Sequence, residues 1–391
     1  MKQVDLLVVG AGPAGSALAA AIARAGASVL LVDAATHPRP KACAEYASPR
    51  IVEELARIGL APDDWADTAV PLRGMDLRVG SRTARISYAG RHGQRDAWGL
   101  DRRRFDERLA RHAAESGAEL RERTRLMRLM TQDGRVHGAV LRTVGGERDD
   151  HILARHVVGA DGARSTVAHL LGVEQRVGFP RRIGLVAHYS GVDELTAHGE
   201  MHVGPGWYVG LAPTPDGELN VGMALPVDNS RDGARQRMAR AIEELPAVSE
   251  RLRGAQRISP IRGASPIGHR VARVAGPGWL LVGDAAGFVD PFTGEGIHRA
   301  LRSSRAAASA LLGADDVTSA YRHERRRAFT AKAALSWMVQ GALAAPGVMA
   351  FAAARLEERP AVALRLGSAL GDCRPATDAL APRAIWEMLA P

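Results

Sequence analysis

Residues Asp5-Leu6-Leu7-Val8-Val9-Gly10-Ala11-Gly12-Pro13-Ala14-Gly15-Ser16 decide the fold. A short apolar run breaks at once into glycines spaced GxGxxG, and an Ala-rich run to Ala25 follows. The pattern reads as strand, tight turn and helix. The first glycine permits the turn, the second lets backbone approach a pyrophosphate, and the third lets helix and strand pack closely. The start of the helix then offers free N–H groups and the positive end of its dipole to phosphate. A second strand, Ser28 to Val32, ends at Asp33, where a carboxylate accepts hydrogen bonds from ribose hydroxyls. Gly10, Gly12, Pro13, Ala14, Gly15, Asp33 and Ala34 are therefore the expected dinucleotide-binding positions.

Working outward, the strand-then-glycine pattern recurs twice. Gly159-Ala160-Asp161-Gly162-Ala163-Arg164-Ser165 follows an apolar segment, and Trp279-Leu280-Leu281-Val282 runs into Gly283-Asp284-Ala285-Ala286-Gly287. Pro291-Phe292-Thr293-Gly294-Glu295-Gly296-Ile297 opens a long helix. Between these landmarks, Ile183 to Leu225 shows short strands separated by turns such as Pro215-Asp216-Gly217, the signature of an antiparallel sheet. The last 80 residues or so are helical, Ala-rich and Arg-rich. The expected architecture is α/β: a Rossmann-like domain (1–75, 101–175 and 263–310), an inserted antiparallel β-sheet substrate domain (76–100 and 176–262) and a helical C-terminus (311–391).

Composition narrows the function classes. The 391 residues carry a formal net charge of +9, but aromatic residues make up only 4% and no nucleic-acid-reading motif accompanies the arginines. The basic balance reads as a solvated face, not a nucleic-acid footprint. Two cysteines, Cys43 and Cys373, build no disulfide framework and form no CxxC pair, which fits a reducing, cytoplasmic compartment. Ala333 to Ala354 is uncharged but Ala-rich and interrupted by Pro346-Gly347. It reads as a buried or substrate-covering helix, with peripheral membrane contact left open. His198 and His202 lack a third ligand partner, so no metal site is expected. A GxSxG elbow and a P-loop are absent.

The two later glycine segments resemble the further fingerprints of the glutathione-reductase-like flavoproteins, which separates FAD from NAD where GxGxxG alone does not. The likeness runs from residue 5 to about residue 310 and extends to the group of single-component aromatic hydroxylases, flavin halogenases and geranylgeranyl reductases. It implies that Asp284 bonds the flavin's ribityl chain and that Asp161, Gly162 and Gly283 stand near the cofactor. It also implies that the N–H groups of Pro291 to Ile297, with Gly294 and Gly296, face the isoalloxazine and stabilise the reduced form. Asp101-Arg102-Arg103-Arg104-Phe105 resembles that group's Arg-x-x-Phe/Leu element, which carries a cofactor-proximal role onto Arg102, with Arg104 as alternate.

Lys41-Ala42-Cys43 with Ser48-Pro49-Arg50 looks most like the geranylgeranyl reductases. Two departures stand out. Ala44-Glu45-Tyr46 follows the cysteine where those reductases carry glycine. Trp207-Tyr208-Val209-Gly210-Leu211-Ala212-Pro213 replaces their aromatic-x-Trp-x-x-Pro element. The Glu-Tyr variant resembles monooxygenase-like relatives, and the halogenase Trp-x-Trp-x-Ile-Pro signature is missing. With no second GxGxxG unit, NAD(P)H is expected to visit the flavin transiently. The leading expectation is thus an NAD(P)H-driven FAD monooxygenase using O2 on an apolar or phenolic, polyketide-like small molecule. Glu45, Tyr46, Tyr208 and Pro291 are its candidate catalytic residues, and Cys43 is a small buried side chain. The alternatives are a reductase saturating isoprenoid double bonds and, from another class, a non-catalytic flavin-binding redox module.

Overall fold

The strand Lys2–Val9 sends Leu6 and Val8 into one apolar cluster and Leu7 and Val9 into another, so it is covered on both faces. Such two-sided burial explains why the run is continuously apolar rather than alternating. The computed structural model describes residues 1–91, 93–227 and 232–389. In it, Lys2–Val9 lies between the parallel strands Val29–Val32 and Asp149–Gly159, and Trp279–Leu281 pairs in parallel with the latter. The register aligns Val9 with Val32 and Gly159, and Gly159 with Leu281. All three glycine segments therefore emerge at one edge of one sheet, the carboxyl edge where open α/β sheets bind ligands.

Two helices pack over that edge. Pro13–Arg24 carries Pro13 at its first turn, where the missing N–H costs nothing. Gly296–Gly313 lies against it through small side chains such as Ala300 and Ala307. Ser304 Oγ donates to the Ala14 carbonyl at 2.6 Å, which binds the second helix to the start of the first.

The second sheet runs in the order Gln256–Arg257, Arg182–Ser190, Glu218–Pro226, Trp207–Thr214, Gly199–Gly204, Met75–Val79, Arg82–Ile86. Helices Ala234–Glu243 and Pro246–Arg251 cover one face through Met238, Ala241 and Val248. The C-terminal helices cover the other face through Leu343, Met349, Leu356 and Val362.

The sheet is mainly antiparallel, with Met75–Val79 running parallel to Gly199–Gly204. Two expected boundaries shift. The one at 263 falls too early, since Arg262–Ile267 pairs with Arg182–Ser190 and belongs to the second sheet, a change of partner that leaves no composition break in the chain. The one at 310 cuts a helix that continues to Gly313. Among the described residues no single helix is long and apolar enough to cross a membrane.

Packing at the first turn yields a test. A Cβ on Gly15 would stand 1.8 Å from the Gly10 carbonyl oxygen, and backbone there has nowhere to go. Gly15→Ala should cost about 3 kcal/mol or more in urea unfolding, as overpacking against a rigid neighbour does. Gly341→Ala, in an exposed helical position with nothing within 4 Å, should instead gain about 0.5–1 kcal/mol.

Candidate functional site

The groove at the sheet edge is built from backbone. Gly10 has φ +105°, and a Cβ there would stand 2.6 Å from the Ala160 carbonyl oxygen, so the first and second glycine segments touch. A Cβ on Gly283 would come within 2.9 Å of the Ala14 Cβ, which brings in the third. Gly12 is the N-cap of its helix and supplies no side-chain cap; Glu295, the N-cap of the long helix, supplies none either. Two helix starts thus leave N–H groups free beside open space. A Cβ on Gly12 would meet only the Arg39 guanidinium, at 3.5 Å, and a Cβ on Gly162 or Gly296 would meet nothing within 4 Å. An elongated dinucleotide with a pyrophosphate at its centre fits this cradle.

The acidic and basic side chains around it are arranged more tightly than their spacing reveals. Asp33 accepts from the N–H of Ala11 at 2.9 Å and of Ala35 at 2.9 Å, so it braces the glycine turn from below. A carboxylate has about four acceptor positions, which leaves capacity for a ribose hydroxyl. Ala34 beside it is exposed. Asp284 sits at the groove with Lys41 Nζ 4.0 Å from its carboxylate. Arg39 Nη2 lies 3.5 Å from Asp33. Arg39 and Lys41 are cationic groups that sequence reasoning did not assign to the cofactor. Their signal was there, as two positive charges in the Pro-rich stretch just beyond Asp33.

Other expected cofactor positions have work inside the protein. Asp161 accepts from Ser165 Oγ at 2.6 Å and from the Val167 N–H, capping a short helix. Arg102 is buried and doubly bonded to Asp106 at 2.8 Å, with its remaining amino group 3.1 Å from Cys43 Sγ. Arg104, the alternate, is half-exposed and bonds Asp67 and Asp216. Ile297 turns its side chain into the core beside Leu301, so only its backbone can face a ligand. Gly294 has φ +65°, and a Cβ there would strike the Tyr46 ring at 2.6 Å.

Glu45 is the most unusual residue of the site. It is only 4% exposed yet holds φ 57°, a left-handed conformation that side-chain-bearing residues adopt at a cost of about 1–3 kcal/mol. The surroundings hold it there. Its carboxylate accepts from Asn220 Nδ2 at 3.1 Å and from the Arg102 N–H at 3.3 Å, and meets His188 Nε2 at 2.7 Å. Its carbonyl accepts from the Leu100 N–H at 2.8 Å. The hydrogen bond that the imidazole donates to Glu45 raises the His188 pKa above its ordinary value and outweighs the opposing effect of burial. His188 keeps 25% of its side chain exposed, so a buried carboxylate is linked to water through one imidazole. His188 and Asn220 were not picked out from the sequence, because they lie more than 140 residues away from Glu45.

Tyr208 and Pro291 belong to a different arrangement. The Tyr208 hydroxyl donates to Asp290 at 2.6 Å, and burial, then Asp290, pushes its pKa well up. Arg182 also bonds Asp290, at 2.8 Å, and reaches Gln340 at 2.5 Å. Tyr208 thus anchors the Pro291-Phe292 turn to the sheet, with its ring edge-on to Phe292 at 5.0 Å. Tyr46 hydroxyl meets that of Tyr88 at 2.8 Å, and burial raises its pKa too. Both phenols are thereby held in their protonated form near neutral pH. A second buried knot, also missed, joins Lys332 to Glu295 at 2.9 Å and to Asp372 at 3.0 Å, while His298 pairs with Asp372 at 2.9 Å. Burial opposes the charged forms, but the partners prevail: the Lys332 pKa is raised and that of Asp372 lowered.

Comparison with known proteins places this geometry. Residues 3–335 match the family model described as FAD binding domain. A menaquinone reductase of Mycolicibacterium smegmatis is 34% identical over 82% of this chain and 79% of its own length. A digeranylgeranylglycerophospholipid reductase of Methanosarcina acetivorans is 31% identical over 79% of this chain and 75% of its own. Among solved structures, the myxobacterial chondrochloren halogenase CndH superposes with a TM-score of 0.76 at 27% identity, over 84% of this chain and 79% of its own. A geranylgeranyl bacteriochlorophyll reductase-like protein of Thermoplasma acidophilum shares the fold with a TM-score of 0.81 at 24% identity, over 99% of both chains.

Two measurements probe the site. Arg39→Ala should lower the affinity of the apoprotein for FAD about tenfold, the worth of one charge-assisted hydrogen bond, as read by flavin fluorescence titration. Lys332→Met removes the cation that Glu295 and Asp372 share and should cost about 3 kcal/mol in urea unfolding near neutral pH. Because the Asp372 pKa is depressed on folding, the stability that this carboxylate contributes should be present above its unfolded pKa and fade in the unmodified protein as pH falls below it.

Proposed function

The chain belongs to the FAD binding domain family, and from that premise we propose that it is an FAD-dependent reductase adding hydrogen across a carbon–carbon double bond of an apolar, isoprenoid-type substrate. A reduced nicotinamide is the electron donor in this reading. FAD, once bound and reduced by the nicotinamide, would supply the hydride, and the chain's own groups do the rest. Gly12, Ala14, Arg39, Lys41 and Asp284 would hold the cofactor. Gly210 and Gly222 pair across neighbouring strands, and the missing side chain at Gly222 lets the segment before Glu45 lie close on the sheet, since a Cβ there would stand 3.0 Å from the Ala44 Cβ. Saturation also needs a proton at the second carbon, delivered without flooding the site with water.

The observation that carries the proposal is the buried Glu45, joined to solvent through His188. A proton leaving the pair for the substrate is replaced from water at the exposed side of the imidazole, while Asn220 and the Arg102 N–H keep the carboxylate in place. The names of the reductase relatives support the same reading. A specific feature favours a second: Ala44-Glu45-Tyr46 follows Cys43, where the resembled reductases carry glycine after the cysteine. In an O2-dependent hydroxylation of a phenolic substrate, Glu45 would accept a proton rather than pass one on.

One experiment separates these readings. With NADPH or NADH and polyprenyl quinone or phenolic candidates, saturation that proceeds without O2 supports the reductase. Product carrying heavy oxygen from labelled O2 would replace it with the hydroxylase, and retained FAD with no substrate-stimulated NAD(P)H oxidation would leave only a binding module. The pair also sets a pH limb. Reductase activity should fall as pH rises through the raised pKa of His188, because the charged imidazole is then lost. Glu45→Gln should shift that limb to lower pH and cut kcat about 10²- to 10⁴-fold. An unshifted limb in this variant would remove His188 from the account.

A further inference from the structure

The helix Val317–Ala344 and the helix Pro346–Glu358 meet in a bend of 114°. No charged residue occurs from Ala333 to Ala354, although half of this elbow faces outward. Its inner side is spent on the fold, with Leu343 and Met349 packed on the second sheet and Gln340 bonded to Arg182. Its outer side presents Trp337, Met338, Val348 and Phe351, with Val348 at 55% exposure. Single exposed apolar residues are ordinary, whereas a contiguous set marks an interaction surface.

The stripe has a direction. Arg322, Arg326, Thr330, Ala334, Met338 and Gly341 recur every three or four residues and are all exposed, so they share one helix face. Along that face the character changes from cationic to apolar toward the bend. Arg326 stands about 16 Å along the axis from Trp337 at 1.5 Å per residue. The terminal helix Pro382–Leu389 packs against Pro346–Glu358 and adds both characters again, with Arg383 and Trp386, the latter 68% exposed.

We propose that this elbow is a docking surface for an anionic lipid bilayer, with Trp337, Met338, Val348 and Phe351 dipping into the headgroup–acyl boundary and Arg322, Arg326 and Arg327 held among the phosphates. Interfacial helices bury their apolar side by about 5–10 Å, and nearby arginines each add attraction to an anionic surface. A protein partner fits less well. Protein interfaces carry about one hydrogen bond per 100–200 Å², whereas between Ala333 and Ala354 the exposed side chains offer only the indole N–H of Trp337. The protein's net charge of +9 favours the same occupant. Because the inner side of the elbow touches the second sheet, docking would set the site beside the phase in which an apolar substrate dissolves. The surface itself does not depend on the reaction type.

Flotation of the FAD-loaded protein with phosphatidylglycerol vesicles, and with phosphatidylcholine vesicles, tests this without turnover. Strong flotation on phosphatidylglycerol that weakens with salt, and weak flotation on phosphatidylcholine, are expected. Met338→Glu together with Val348→Glu should lower vesicle affinity about tenfold or more, the worth of burying such side chains, with flavin content unchanged. Absence of flotation, or flotation indifferent to the double substitution, overturns the proposal. So does a concentration-dependent dimer in size-exclusion chromatography that the substitutions abolish while no flotation is seen, since the surface would then join two copies. Should the double variant fail to fold, quenching of the unmodified protein's tryptophan fluorescence by brominated lipid decides: quenching supports docking, and none refutes it.

Discussion

Everything in this protein depends on a close approach of backbone to backbone at the carboxyl edge of the parallel sheet. Three chain segments, near residues 10, 160 and 283, meet there within van der Waals distance, and the contacts tolerate only glycine or alanine. That closeness brings two helix starts to one groove with their N–H groups free. Positive charge from Arg39 and Lys41 completes a surface suited to a pyrophosphate. A looser junction would spread these groups apart, and no individual hydrogen bond would restore the cradle.

Around this junction, buried polar groups secure the parts that sequence separates. Lys332, Glu295, Asp372 and His298 tie the long C-terminal helix to the turn that opens Gly296–Gly313. Arg182, Asp290, Tyr208 and Gln340 tie the same turn to the second sheet. Buried ion pairs add little net stability once desolvation is counted, but removing one partner is costly, so they discriminate strongly against misdocked arrangements. The C-terminal helices are therefore part of the site and not an appendage. They present one face to the sheet and another, bare and apolar, to the outside.

Glu45 shows how a local departure acquires meaning. Glycine would take its left-handed backbone at little cost, and the reductases that this sequence resembles carry glycine beside the cysteine. Here strain is accepted so that a carboxylate can stand buried, and His188, Asn220 and the Arg102 N–H hold it there. The glutamate and its neighbouring tyrosine could be singled out from the chain because they break a pattern. The roles of the two diverge: Glu45 has a path to water, whereas Tyr46 is locked against Tyr88 and the glycines Gly199 and Gly294.

Sequence alone determined the nucleotide-binding half of this protein, because strand, turn and helix propensities act over a few residues and GxGxxG states its steric reason locally. It also determined that a second sheet and a helical tail follow, from the change of hydrophobic period along the chain. Only tertiary structure decided which residues meet: that His188 and Asn220 reach Glu45, that Arg102 spends its charge on Asp106, that Asp161 caps a helix, and that Arg262–Ile267 joins the other sheet. Ion pairs and strand pairings between distant segments leave no spacing to read, since they depend on the three-dimensional path between the partners. The exposed elbow is the same lesson in reverse, for an uncharged stretch reads alike whether it is buried or bare, and burial is a property of the fold.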